Sequence, residues 1–371
     1  MDRRLTGKEQ KAKVNGSSND QGELAGKSQM GSWPVIGHEW ALGLLEHAIL
    51  SGRLHHAYLF SGPSQVGKTT VALAFAQALL CDTGAGYPCG SCRTCQRIAQ
   101  GRYPDVQVIT AGKNTIQIEQ IRALQADAAL SPLEGQYRVF IIPEIERASL
   151  PAANALLKTL EEPPPKVVML LTSTRRDQVI PTVLSRCQII ALRPLPLEQI
   201  QAALEARWEA DPERAALLAR LSSGRLGWAV VAHSDPGMWR TRAKSFDNLM
   251  SLTAAGHFDR LTYADVLSRL PLGVDTRAQK DALRGDTVEM ILGNWVSWWR
   301  DIWLIQQGLA EAIVNLDRRL QLAQQADLFK TEQVEGALTD LLETLRRLRA
   351  NVNARLALDV LTLRMPAPMV A

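Results

Sequence analysis

No apolar run in these 371 residues approaches the roughly 18 needed to cross a bilayer. The richest stretch, 290–306, is interrupted by Asn294, Ser297, Arg300 and Asp301. The opening residues carry charge with no apolar core behind it, which is not the pattern of a secretory leader. Excess charge is lacking too: 42 basic against 38 acidic residues leave +4. That balance permits contact with nucleic acid without arguing for it, because no concentrated basic stripe is present. There is no solenoid-type repeat. With 46% hydrophobic and 22% charged residues, a disordered or fibrous chain is excluded, and the length allows two or three domains. Cysteine is sparse at five, yet four fall between Cys81 and Cys95. Without an export leader, such a cluster reads as metal binding rather than disulfides, and the expected location is the cytoplasm.

What is present changes along the chain. Residues 1–32 are polar and show no apolar period, so they read as a flexible tail. From Trp33 to about Leu192 helix and strand patterns alternate. Strands are expected at Ala57–Phe60, Asp105–Thr110, Arg138–Ile142, Val167–Leu171 and Gln188–Leu192. Helices are expected at Glu39–Ser51, Thr69–Leu80, Leu150–Glu161 and, as a short piece, Pro181–Leu184. This alternation predicts a parallel sheet with helices on both faces. After Pro196 strands vanish. Helices follow at Leu197–Arg207 and Pro212–Leu221, then a turn at Gly224-Arg225-Leu226-Gly227, and the remainder to about Met365 reads as a helical bundle.

Gly62-Pro63-Ser64-Gln65-Val66-Gly67-Lys68-Thr69 fits G-x-x-x-x-G-K-[ST], between an expected strand and an expected helix. The glycines let backbone N–H groups surround phosphate oxygens, and the helix N-terminus adds partial positive charge. Gly62, Gly67, Lys68, Thr69 and Thr70 are therefore candidate binders of ATP or ADP. Lys68 would sit on the β- and γ-phosphates and Thr69 would offer its hydroxyl to Mg²⁺. Hydrolysis needs more: a carboxylate at the end of the third strand and a base beside it. That strand reads Arg138-Val139-Phe140-Ile141-Ile142-Pro143-Glu144. Pro143 stands where a metal-associated aspartate is expected, and Glu144 remains as a degenerate base. Glu146, two residues on, is a conceivable substitute. Weak or absent ATPase activity of the chain's own site is expected.

Cys81-x₇-Cys89-x₂-Cys92-x₂-Cys95 supplies four thiolates within fifteen residues. A Cys₄ set suits structural Zn²⁺ and leaves no open position for catalysis. Trp295, Trp298, Trp299 and Trp303 repeat at helical spacing, and the expectation is packing rather than DNA stacking, because no aligned basic stripe accompanies them. Arg346-Arg347-Leu348-Arg349 reads as a solvated helix face.

Taken together and in order, several segments resemble the AAA+ clamp-loader subunits of the bacterial DNA polymerase III holoenzyme. They are Val35-Ile36-Gly37-His38, His56-Ala57-Tyr58-Leu59-Phe60-Ser61-Gly62-Pro63, Ala153-Asn154-Ala155-Leu156-Leu157-Lys158-Thr159-Leu160-Glu161-Glu162-Pro163, Ser185-Arg186-Cys187 and Asn351-Val352-Asn353-Ala354-Arg355-Leu356-Ala357-Leu358. The likeness runs from about 33 to 366. It implies an AAA+ α/β core at 33–194 carrying the zinc module 81–95, a helical lid at 195–237 and a helical collar at 238–371. It also implies a hetero-oligomer with tau/gamma and delta subunits, which loads the sliding clamp onto primer–template DNA at the expense of ATP. Contact with DNA would run mainly through phosphates.

In that family Arg186 is an arginine finger, aimed at a phosphate held by the neighbouring subunit. Ser173 and Thr174 would be γ-phosphate sensors, here expected to be largely structural. Cys187 would be a small hydrophobe and no fifth zinc ligand. The face of Val352, Leu356, Val360 and Leu363 would pack in the collar. Pro143, Gly227 at the position of the motor's phosphate-sensing arginine, and an end at the collar favour the delta-prime (stator) branch. A tau/gamma-type ATPase motor is the alternative, and a zinc-containing binding module unrelated to replication is an alternative of another class.

Overall fold

The computed structural model describes residues 33–112, 115–273, 287–350 and 352–368. The tail expected at 1–32 lies outside the described residues. Residues Ala57–Ser61 (β1), Val106–Val108 (β2), Arg138–Ile142 (β3), Val167–Ser173 (β4) and Gln188–Ala191 (β5) form one five-stranded sheet in the order β2-β3-β4-β1-β5. Every pairing is parallel. Parallel neighbours need crossovers, and the crossover helices cover both faces. Side chains alternate accordingly. Tyr58, Phe60, Val139, Ile141, Val168 and Leu170 pack with Glu39–Leu50 (α1), Lys68–Leu80 (α2) and Arg93–Ala99 (α3). Leu59, Phe140, Ile142, Met169 and Leu171 pack on the other face with Ile118–Ala128 (α4), Leu150–Glu161 (α5) and Pro181–Leu184 (α6).

The parallel sheet is the expected one, with differences at its margins. β2 is shorter than the strand expected at 105–110, although backbone bonds to β3 continue on both sides of it: Val139 N–H donates to the Asp105 carbonyl at 2.7 Å and Ile109 N–H to the Ile141 carbonyl at 2.8 Å. The buried Asp105 carboxylate accepts the N–H groups of Leu133, Glu134 and Gly135 at 2.7–2.8 Å. Two helices were not anticipated. α3 is only 7 residues long, too short to show a period, and α4 buries Ile121, Leu124 and Ala128 on one face.

Leu197–Trp208 (α7), Pro212–Ser222 (α8) and Leu226–Ser234 (α9) share a small core of their own around Ile200, Leu204, Leu218 and Ala229. The expected turn at 224–227 is shorter than its four residues, since α9 already starts at Leu226; Gly224 alone has positive φ, at 83°. Pro236–Ala254 (α10) starts in this core, with Met238 and Trp239, and ends in the next one, with Phe246, Leu249 and Leu252. His257–Ser268 (α11), Val288–Gln306 (α12), Arg319–Ala326 (α13), Thr331–Arg349 (α14) and Ala354–Arg364 (α15) complete the helical bundle. Trp295, Trp298 and Trp299 are buried at its centre, as expected of packing residues. Trp303 is half-buried and donates its Nε1–H to Glu335 at 3.1 Å. Arg260, almost fully buried, donates to the carbonyls of Thr253, Ala255, Thr362, Leu363 and Met365, so it ties the ends of α10 and α15 together. Val352 and Leu356 are exposed, while Ala357, Leu358 and Leu361 face the core.

Two arginines tie the small helical unit and α10 to the bundle, and a buried aspartate braces the segment that receives them. Arg220 of α8 donates to the carbonyls of Glu311 and Ile313. Arg242 of α10 holds Asp317 through both Nη atoms and Asn315 through one, at 2.7–2.8 Å. Asp301 of α12, with no exposed surface, accepts from the backbone of Val314 and Asn315 and from the Asn315 side chain.

Candidate nucleotide, zinc and arginine-finger sites

The phosphate-binding loop leaves the C-terminal end of β1 and ends at the first turn of α2. Gly62 has φ 154°, and a Cβ there would lie 2.3 Å from the Leu192 carbonyl oxygen, so no side chain fits. Gly67, at φ 107°, is the N-cap of α2, and no side chain caps that helix. Its first-turn N–H groups are thus open to an anion, and Thr69 and Thr70 are exposed beside them. Lys68 is buried. Its Nζ donates to the Gly62 and Pro63 carbonyls at 2.9 and 2.7 Å. Burial pushes its pKa down, opposed by the nearby carboxylates of Glu146 and Glu144.

Two other segments reach the same loop. His38 donates Nε2–H to the Val66 carbonyl at 3.0 Å. Gly227, in the first turn of α9, donates its N–H to the Gln65 carbonyl at 3.0 Å. A Cβ at Gly227 would stand 2.8 Å from that carbonyl oxygen. The position where a sensing arginine was expected is therefore a backbone contact between the small helical unit and the loop. Arg225 turns elsewhere: its Nε donates to the Ser222 carbonyl at 2.8 Å.

At the end of β3, Pro143 supplies no carboxylate. Glu144 adopts φ 52° and its carboxylate takes Arg147 Nη1 at 3.1 Å. Its N–H donates to the Thr172 hydroxyl at 3.1 Å. Glu146 accepts from the backbone N–H of Thr174 at 2.8 Å through Oε1, while its Oε2 is buried without a partner. Ser173 Oγ is likewise buried and unpartnered, and the Ser173 carbonyl accepts from Gly62 N–H at 3.2 Å. The arrangement thus gathers Gly62, Gly67, Lys68, Thr69, Thr70 and a buried carboxylate, but it diverts Glu144. A nucleotide phosphate fits the free first turn of α2. It would take Lys68 from the loop carbonyls that now hold it.

The four cysteines come together. The Sγ atoms of Cys81, Cys89, Cys92 and Cys95 all lie within 4.8 Å of one another. Tetrahedral Zn–S bonds of about 2.3 Å require sulfurs roughly 3.8 Å apart, so the set fits zinc with little adjustment. Cys92 N–H donates to Cys89 Sγ, and Cys95 N–H to Cys92 Sγ, both at 3.3 Å. The bond from Cys92 N–H foremost, with the hydroxyl and N–H of Ser91, holds the Cys89 thiol down at about 6, favouring the thiolate a metal needs. Cys187 lies outside the cluster, and burial pushes its thiol up to about 12.

Arg186 follows α6, at the start of the turn into β5. Its Nη2 lies 2.6 Å from Oε1 of Glu161, and its Nη1 donates to the Thr182 carbonyl and the Ser185 hydroxyl. Neither the Glu161 contact nor the Gly227–Gln65 contact is visible in residue spacing, since each joins segments far apart in sequence.

A sequence model of the family described as "DNA polymerase III, delta subunit" matches residues 37–196, the sheet domain. The DNA polymerase III subunit delta′ of Bacillus subtilis is 30% identical over 323 residues, 86% of this chain and 93% of that protein. The DNA polymerase III subunit tau of Escherichia coli is 41% identical over 198 residues, 52% of this chain; the match spans 31% of that longer protein. A gamma-subunit-related protein of Thermotoga maritima aligns structurally over 87% of this chain and 97% of its own, at 19% identity and a TM-score of 0.42. Likeness along nearly the whole of the delta′ relative, and not only across a phosphate loop, decides the matter: the chain belongs to the AAA+ clamp-loader subunits of DNA polymerase III.

Proposed function

We propose that the chain is the delta-prime, or stator, member of its clamp loader. It assembles with tau/gamma and delta subunits in the cytoplasm, and the assembly uses ATP to place the sliding clamp on primer–template DNA. In this reading the chain contributes a rigid core at 33–194, the lid at 195–237, the collar at 238–371 and one trans-acting arginine, Arg186. Arginine suits the task because it stays charged and presents a planar fork of donors to a phosphate. Structural zinc on Cys81, Cys89, Cys92 and Cys95 would hold the α2–α3 connection in shape. The exposed Val352 and Leu356 suit contact with a neighbouring collar.

The observation that carries the choice of branch is the end of β3. Pro143 has no carboxylate, and Glu144, the residue left to act as base, is paired with Arg147. A Mg²⁺–ATP bound on the loop would lack the carboxylate and the free base that hydrolysis requires. Gly227 in place of a sensing arginine, and similarity to delta′ along nearly its full length, support the same branch. The test is ATP binding and turnover by the purified chain with primed DNA, beside Lys68→Ala. Binding without turnover is expected, and it should be lost in the variant. Turnover that depends on Lys68 would move the chain to the motor class, with Glu146 as the compensating carboxylate.

A further inference from the structure

Arg186 is not free on its loop. The carboxylate of Glu161, last residue of α5, meets its Nη2 at 2.6 Å, while Nη1 serves the Thr182 carbonyl at 3.0 Å and the Ser185 hydroxyl at 3.2 Å. The negative end of the α5 dipole adds to the attraction. Pro163-Pro164-Pro165, directly after the cap residue Glu162, stops α5 at Glu161, which fixes where Glu161 stands. These contacts use three of the five guanidinium N–H groups. The remaining two have no partner among the described residues, and the pair stays partly open to solvent, at 33% and 49% side-chain exposure. The ring of His56 lies against the Arg186 and Leu160 carbonyls, and burial, with His55 beside it, lowers its pKa, so it adds no charge here at neutral pH.

We propose that Glu161 is a latch. It parks Arg186 on its own subunit, and a neighbour's nucleotide phosphate must take the guanidinium from it. The proposal rests on Arg186 acting in trans as a finger. A single carboxylate and a polyphosphate compete for one fork of donors. The more highly charged triphosphate wins, and the carboxylate reclaims the fork once the γ-phosphate has left. Glu161 is thereby a positioning residue, which sets how readily the finger engages and resets.

The test uses the complex of the full chain with its ATPase partner subunits and primed DNA. Steady-state ATPase is measured against ATP concentration for wild type, Glu161→Gln, Glu161→Asp and Arg186→Ala. Exposed pairs of this kind are weak, so Glu161→Gln should raise kcat/KM by about 2- to 5-fold. The gain should come through a lower KM with kcat unchanged, and it should shrink at about 0.3 M salt, where charges are screened. Glu161→Asp should fall between wild type and Glu161→Gln. An unchanged or lowered kcat/KM for Glu161→Gln, in a complex that Arg186→Ala still slows, would overturn the latch and leave the finger standing. ATPase indifferent to Arg186→Ala would instead overturn the finger, and the latch with it.

Discussion

The contact between Gly227 and the phosphate loop makes a quantitative prediction. In Gly227→Ala the new methyl would begin 2.8 Å from the Gln65 carbonyl oxygen and 3.3 Å from Gln65 Cβ. An ordinary carbon–oxygen contact needs about 3.3 Å, so lid and loop must part by roughly half an ångström. The Gly227 N–H···O bond, now 3.0 Å, would then lengthen to the limit of a hydrogen bond. Losing it costs about 1 kcal/mol, and the overpacking adds about 1–2 kcal/mol. Alanine's better helix propensity returns less than about 1 kcal/mol. The net loosening of about 1–2 kcal/mol should speed amide exchange about 5- to 30-fold. It should do so in both 62–70 and 224–232, with α14 and α15 unaffected. Hydrogen-exchange mass spectrometry reads this directly. Gly227→Arg should loosen the same segments at least as much and confer no gain in ATP affinity. Unchanged exchange in either segment, or an arginine at this position that tightens ATP binding, would refute the reasoning.

Two further outcomes follow from other parts of the core. The purified chain should carry one zinc per molecule by atomic absorption; Cys92→Ser should lose it and unfold the 81–99 region first, read as new protease cleavage there. Asp105→Asn should cost about 2–4 kcal/mol in urea unfolding at neutral pH, because N–H groups that bonded a charged carboxylate lose it. Burial opposes ionisation of Asp105, but the N–H groups of Leu133, Glu134 and Gly135, with Arg138 nearby, outweigh it and hold the carboxyl below its usual range. A depressed carboxyl contributes stability above its unfolded pKa and loses it as pH falls through the folded value. The gap between wild type and variant should therefore hold down to about pH 4 and close below it.

Much of the sheet domain was legible because its requirements are local. A phosphate loop needs glycine at Gly62 and Gly67 for close backbone approach, and a knuckle needs its cysteines at tight spacing. α5 starts and stops at its expected residues because Ser149, Pro151 and Pro163 are local signals. α4, which was not expected, carries an equally local signal in Ile118, Ile121, Leu124 and Ala128. α3 had none to offer. At the edge strand β2 the backbone of Asp105 still bonds to Val139, while its side chain serves a loop 28 residues away, a role that no strand pattern shows. Asp301 reads as a break in an apolar stretch, yet it is buried and bonded, since Val314 and Asn315 beyond the end of its helix complete it. The Gln65–Gly227 and Glu161–Arg186 contacts belong to the tertiary fold, and no spacing rule reaches them.

The buried Asp301 has a mechanical consequence. From α12 its carboxylate holds Asn315, Asn315 holds Arg242, and Arg242 stands on α10, the helix that enters the core around α9. At the start of α9, Gly227 holds the phosphate loop. The line thus runs by hydrogen bonds from the tryptophan core of the bundle to α10, and by packing and the bond from Trp239 Nε1–H to the Ala232 carbonyl on to α9 and the loop beside Lys68. A push on the bundle should therefore reach the loop as displacement. Cutting the line at Asp301 should leave each part folded and let the two ends of the molecule move independently.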